Sequence, residues 1–344
     1  MAGPVESYTF NPSNREDLAD IIQMIDPTET PFVSACQRGT ATNKKHEWLL
    51  DTLVTETLNI NVEGKNYTTD YDERPDPTRV HSYTQIWAKN LSVTGTQEAT
   101  EHAGKKSELA YQIAKMGLEI RRDQEYQFTS GLSAAEFALL VSGTDGGSTP
   151  LSPGSAVLSR VTGSIATWIN TNVQKEASGT DVTTNGAGQP DDDVETDPGL
   201  GRALLESMVK TAIRTAYIEG GNPRHIFVDP FNKQAVSAFT GGTTRFDQSE
   251  DKRLVTAIDL YVSDFGEHAV IPDRFIKQNG TTGTDGVNVF VLDMTKWGCH
   301  YLRPFMQENL AKVGDAQNRV LLAEAALWSG QQKASAIIRD ITDA

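Results

Sequence analysis

The chain has 344 residues, of which 38% are hydrophobic and 22% charged. That length suffices for two modest cores, and the composition excludes wholesale disorder. The formal net charge of −15, with no long run of Lys and Arg, disfavours specific nucleic-acid recognition. It suits a surface that lies beside packed DNA without adhering to it. No stretch approaches the roughly 20 apolar residues of a membrane helix. Met1 to Phe10 has no basic region followed by an apolar run, so folding in a cytoplasm is expected.

In chain order, the first forty-five residues read as an arm. Ser13 and Asn14 can cap a helix from about Arg15 to Ile25, with Leu18, Ile21, Ile22 and Ile25 at helical spacing. Pro27 and Pro31 are expected to stop it and force extended chain. Such an arm has too little apolar surface to fold alone and must lie on something else.

Residues 46–98 read as a long two-stranded excursion. His46 to Val54 is one strand. Val80 to Gln97 is the other, with Tyr83, Gln85, Trp87, Lys89, Leu91 and Val93 on one face by period two. A polar, turn-rich tip from Glu63 to Pro77 joins them. A hairpin this long, uncovered by a helix, is marginal alone and leaves edges that seek partners.

The period then changes. Ser107 to Phe128 is the strongest helix, with Leu109, Ile113, Met116, Ile120 and Phe128 near one stripe and Ser107 as cap. Lys115, Glu119, Arg122, Asp123 and Glu125 are read as its solvated side. At 1.5 Å per residue the rod is about 33 Å long. Gly117 inside it signals close packing or a bend.

The Gly-, Ser-, Thr- and Pro-rich stretch 141–156 marks a boundary. Helices are expected over Ala156–Val173 and Gly201–Glu219, the second closed by Gly220 and Gly221. Ile226–Val228 is a strand, and Asp229 with Pro230 starts a helix through Phe239. Ile258, Leu260 and Val262 alternate as a strand that Asp264, Phe265 and Gly266 turn back through Ala269, Val270 and Ile271. Val287–Leu292 is strand again. Val320–Trp328 and Lys333–Ile341 read as a closing hairpin around Ser329 and Gly330. These last strands are expected to return to the long helix. The result is an α+β chain: arm 1–45, hairpin loop 46–98, an outer domain in two parts (99–155 and 285–344) and an inserted mixed domain 156–284.

No catalytic constellation emerges. Cys36 and Cys299 make neither a disulfide framework nor a zinc set and are read as reduced thiols. None of the six histidines has metal-pair spacing. Asp264 and His268 could form a dyad, but no nucleophile signature accompanies them. The acidic run Asp191–Asp193 with Glu195 and Asp197 lacks the spacing of a calcium loop. Gly143–Gly147 and Gly241–Gly242 lack the ending of a phosphate loop. No catalytic, cofactor-binding or metal-binding residue is assigned, and no cofactor is implied.

Ordered motifs carry the reading further. Asp26-Pro27-Thr28-Glu29-Thr30-Pro31-Phe32 is followed by Ala41-Thr42-Asn43 and His46-Glu47-Trp48. Then come Tyr83-Thr84-Gln85-Ile86, Val93 to Ala99 and Lys106 to Gln112. Pro230 to Gln234, Tyr261 to Gly266, Tyr301 to Phe305, Leu310-Ala311-Lys312 and Gly314-Asp315-Ala316 complete the series. In this order they resemble a family of major head proteins of tailed phages with the Hong Kong 97-type capsid fold. The resemblance covers nearly the whole chain. The segments 129–156 and 174–199 depart from it.

The resemblance implies an N-terminal arm, an extended hairpin loop, a peripheral domain on a long spine helix and an inserted axial domain. It implies pentamers and hexamers of the chain closing an icosahedral shell around double-stranded DNA, contacted non-specifically. Portal, scaffold and decoration proteins are the further partners, with no membrane. The location implied is the virion capsid, assembled in the bacterial cytoplasm. Charge pairs between subunits are expected from Lys65, Asp70, Asp72, Glu73 and Arg74 at the hairpin tip and from Glu119, Arg121, Arg122 and Glu125 on the helix. Two other readings stand: a cellular encapsulating shell of the same fold, and a hydrolase using Asp264 and His268.

Overall fold

Strands from both ends of the chain meet in one sheet. The computed structural model describes residues 23–66, 74–129, 159–176, 201–239, 259–276, 287–312 and 314–342. β1 (Gln37–Thr40), β10 (Trp297–Asn309), β11 (Ala316–Ser329) and β4 (Gln85–Thr94) lie side by side in that order. β1 is parallel to β10, and the other pairings are antiparallel. β4 keeps the expected alternation, with Trp87 and Val93 buried and Ile86 exposed. Pro304 falls where the β10 register slips between Arg303 and Met306, so its missing N–H is tolerated.

The long helix α3 (Glu108–Thr129) lies on this sheet against β4 and β11. Its start is capped twice. Ser107 Oγ accepts from the Ala110 amide at 3.2 Å, and Glu98 accepts from Ser107 Oγ at 2.7 Å and from the Leu109 amide at 3.1 Å. Met116, Ile120 and Phe128 are buried as the stripe requires. The close packing expected at Gly117 is not found: a Cβ there would meet only Leu321 Cδ2 at 3.8 Å, an ordinary contact. Glu125 corrects the sequence reading, since it is fully buried and not on the solvated side.

The second sheet has the order β5 (Val173–Gln174), β12 (Ala336–Ile341), β9 (Val287–Leu292), β6 (His225–Val228), β8 (Gly266–Pro272) and β7 (Leu260–Ser263). β9 and β12 are buried at every residue, as mostly apolar strands inside a sheet should be, with Asn288, Arg339 and Asp340 as the polar exceptions. Helix α5 (Glu206–Ile218) packs on β12, β5 and β9 through Val209, Ala212, Ile213 and Ala216. It ends at Gly220, whose φ of 88° is costly for other residues. Helix α6 (Pro230–Ser237) begins as expected, with Asp229 Oδ2 accepting from the Phe231 and Asn232 amides at 3.0 and 3.1 Å.

Several expectations are corrected. Of the helix expected at Arg15–Ile25, residues up to 22 lie outside the described ones, and Gln23 to Ile25 are not helical. Pro31 does not stop a helix; it opens one, α1 (Pro31–Ala35), because a first-turn proline loses no hydrogen bond. The second strand of the excursion is broken at Thr84. β2 (Lys45–Leu50) and β3 (Thr78–Tyr83) pair only with each other, while β4 joins the four-stranded sheet. A short helix α2 (Gly95–Ala99) follows β4.

The helix expected at Ala156–Val173 is a single turn, α4 (Ile165–Trp168), followed by β5. Gly163 sits at φ 81°, and the alternating β-branched Ile165, Thr167, Ile169, Thr171 and Val173 suit helix poorly. In β7 the alternation is reversed: Leu260 and Val262 face solvent, and Tyr261 is buried. The closing hairpin does not form. β11 pairs with β10 and β4, whereas β12 joins β9 and β5, so the chain's last strands divide between the two sheets. The stretches 141–156, 191–197 and 241–242 lie outside the described residues.

One apolar core runs through both sheets. Phe32 of α1 stands at its centre, edge-on to Phe128, Phe227 and Trp297 at centroid distances of 6.1, 6.0 and 6.3 Å. These rings come from α3, the second sheet and the first sheet respectively. Phe32→Ala would leave a cavity where all three meet. The expected loss is about 3–5 kcal/mol, read as a lower urea midpoint at unchanged slope.

Candidate assembly interface

The β2–β3 hairpin starts on the first sheet and leads away from it. Its root is held by rings. His300 Nδ1 and His46 Nε2 are 2.6 Å apart, one nitrogen donating to the other. His300 stacks on Trp328 with centroids 5.1 Å apart, and Trp48 packs against Trp168 at 5.6 Å. A side chain at Gly39 would strike the His300 ring. Burial pushes His300 down to about 4, with the neighbouring His46 adding to the shift, and burial also lowers His46.

Beyond the root the chain has no element from Asp51 to Val62. It carries a row of exposed apolar side chains: Leu49, Leu53, Val54, Leu58, Ile60 and Val62, with Leu53 96% and Leu58 88% exposed. Single exposed leucines are ordinary, but six exposed apolar side chains between residues 49 and 62 stand out. The sequence reading looked to the polar tip and missed this row. The signal was present as the period-two alternation of Leu58, Ile60 and Val62.

The expected charged residues fare unevenly. Asp70, Asp72 and Glu73 lie outside the described residues. Lys65 is partly buried and Arg74 is exposed. Glu119 is 3.6 Å from Lys89 of its own chain, and Lys89 also meets Asp123 at 2.9 Å. Arg121 is half-buried, and the Arg122 guanidinium lies over the Phe275 ring at 5.9 Å. Glu125 is removed from the surface altogether: its Oε1 and Oε2 accept the Phe32 and Val33 amides at 2.6 and 2.7 Å.

A second exposed apolar cluster lies at the far edge of the six-stranded sheet. Tyr217 packs on Phe265 at 4.9 Å, and Ile218, Leu260 and Val262 are exposed. The Asp264–His268 dyad that the sequence left open is not what His268 makes. His268 Nε2 is 2.7 Å from Ser263 Oγ, and Nδ1 is 2.7 Å from the Pro223 carbonyl. His268 is 1% exposed, and these bonds pin the β7–β8 turn. Among the described residues no helix is long and apolar enough to cross a membrane.

The sequence matches a known family. The model of the SU10 major capsid protein family fits residues 5–342. The chain belongs to the SU10 major capsid protein family. A relative within its reach is the major capsid protein of Escherichia phage Phieco32, 32% identical over 134 residues. That match spans 38% of this chain and 37% of the relative, so little more than a third of either is aligned.

Solved structures extend the likeness to the whole fold of this SU10-family chain. The cyanophage A-1(L) capsid chain superposes with a TM-score of 0.58 at 14% identity, covering 98% of this chain and 100% of that one. Chains from Mycobacterium phages Adephagia and Bobi each give 0.56 at 12%, covering 99% and 95% of both partners respectively. The architecture is the Hong Kong 97-type capsid fold.

The histidine root yields a pH prediction for this family member. An unfolded histidine takes up its proton near pH 6.5, but folded His300 does so only near 4. Between those values the unfolded chain binds more protons, so stability is complete above 6.5 and falls as pH drops toward 4. The expected loss is about 1–2 kcal/mol after allowance for partial solvation. His300→Gln should flatten that part of the profile in urea melts at pH 4.5 and 7.

Proposed function

We propose that this chain is the shell-forming subunit of a tailed-phage head, closing around a double-stranded DNA genome. The exposed apolar row from Leu49 to Val62 carries the reading. Fully burying one such side chain stabilises a contact by roughly 1.5–3 kcal/mol, and its own chain leaves the row uncovered. The surface of a neighbouring subunit is the natural cover. The role is structural, without catalysis.

In this reading the first sheet and α3 form the peripheral domain, and the six-stranded sheet forms the axial one. Val287–Leu292 and Ala336–Ile341, strands of the six-stranded sheet, then count with the axial domain, and the rest of 285–344 with the peripheral one. The arm 1–45 reaches a further subunit, and the loop 46–98 lies across a neighbour's peripheral domain. Axial domains meet as pentamers and hexamers, with the Tyr217, Ile218, Leu260 and Val262 cluster in a position to contribute.

Lys65, Asp70, Asp72, Glu73 and Arg74 then face Glu119, Arg121 and Arg122 of the neighbour. Each such pair is worth only ~0–1 kcal/mol. A closed shell multiplies weak contacts because every subunit makes several at once. Portal, scaffold and decoration proteins are the further partners. Assembly takes place in the host cytoplasm, and the net charge of −15 keeps the packed DNA from adhering.

The test uses residues that their own fold does not need. Leu58→Ser with Ile60→Ser should change folding stability by no more than about 0.5 kcal/mol, as exposed substitutions do. Electron microscopy should show closed particles lost. Deleting 63–77 should likewise leave a soluble folded subunit that fails to close shells. Normal particles from both variants would overturn the role given to the hairpin.

A further inference from the structure

Two buried carboxyl groups meet beneath the arm. Glu125 of α3 and Asp273, just after β8, are both fully buried and within hydrogen-bonding reach of each other. Both Glu125 oxygens are occupied by the amides of Phe32 and Val33. Asp273 Oδ1 accepts from the Phe275 amide at 2.8 Å, and the Asp273 amide donates to the Val228 carbonyl at 2.8 Å. Asp273 Oδ2 is buried and accepts from no donor among the described residues. Two carboxylates cannot approach one another in an apolar interior with both charges in place. A proton between them removes the conflict, and Oδ2 is the oxygen left to carry or receive it.

Among the described residues, the other groups around the pair do not supply the missing positive charge. From the arm side the Cys36 thiol faces Glu125, with Cys299 of β10 behind it. From α3 the Thr129 hydroxyl neighbours Asp273, and Arg122 lies over the Phe275 ring. Burial, and then the charge of Asp273, push Glu125 up to about 8. Burial raises Asp273 as well.

We propose that Glu125 and Asp273 share one proton and form a pH-sensitive latch that fastens helix α1, and with it the N-terminal arm, to the core. The consequence follows from proton counting. With the latch open, both carboxyls meet solvent and ionise in the ordinary range near 4. With it closed, the pair keeps a proton until about pH 8. In that window opening releases a proton, so the opening constant rises about tenfold per pH unit. Above about pH 8 the closed pair is already fully ionised, and the dependence levels off. The latch is thus firmest in mild acid and slackens through neutrality.

The Phe32 and Val33 amides are themselves the reporters. Hydrogen exchange of the full-length protein is measured from pH 5 to 9.5, corrected for the intrinsic rate at each pH. The protection factors of these two amides should fall about tenfold per unit up to pH 8 and then flatten. Amides in β9 serve as the control for global opening and should not follow. Asp273→Asn supplies a permanent donor in place of the shared proton. It should keep the protection high and reduce the slope to less than threefold per unit. Glu125→Gln should lose protection at every pH, with β9 still protected. Flat wild-type protection, or an Asp273→Asn variant with the full slope, would overturn the proposal.

Discussion

The pair of hydrogen bonds from the Phe32 and Val33 amides to Glu125 is the constraint on which the molecule turns. It ties α1 to the C-terminal turns of the long helix. Once α1 is seated, Phe32 is delivered among Phe128, Phe227 and Trp297, and a core that would otherwise be two becomes one. The carboxylate also satisfies two amides that no helical partner reaches at the start of a helix. A neutral apolar residue at that position would leave them buried and unpaired, which is costly.

A comparable device holds the first sheet. Glu324 of β11 is buried at 3% exposure and accepts from Thr84 Oγ1 at 2.8 Å, Arg160 at 2.5 Å and Arg303 at 2.7 Å. It gathers the break between β3 and β4, the segment before α4 and the bulged part of β10. Against the effect of burial, the Thr84 hydrogen bond, and then Arg303 and Arg160, hold its pKa down. Buried charges of this kind add little net stability, but they fix which strands lie together. The chain has long strands with similar apolar patterns, so such fixing matters.

The molecule therefore divides its surfaces by purpose. Its interior is closed by two acid-centred clasps and a ring of aromatics. Its hairpin carries hydrophobic side chains that stand exposed among the described residues. The proposed association would supply their cover. Of the charges expected to drive association, those on the spine helix are mostly engaged at home, by Lys89 or by Phe275. Apolar contact rises in importance accordingly.

Much of this was legible in the sequence. The long helix, its cap, the two-face alternation of β4, the Asp229 cap and the Gly220 stop are local patterns, and local sterics and hydrogen bonding decide them. The ordered motifs carried the family as well. What the sequence could not settle was pairing and burial. Thr84 breaks a strand because Glu324, 240 residues away, captures its hydroxyl. Glu125 reads as a surface charge in any helical pattern and is interior only because α1 arrives to use it. The two last strands look like a hairpin by spacing, yet β11 pairs with β10 and β4, and β12 with β9 and β5. Local chemistry determined the elements of this protein, and contacts between distant residues alone determined which faces became core and which were left for a neighbour.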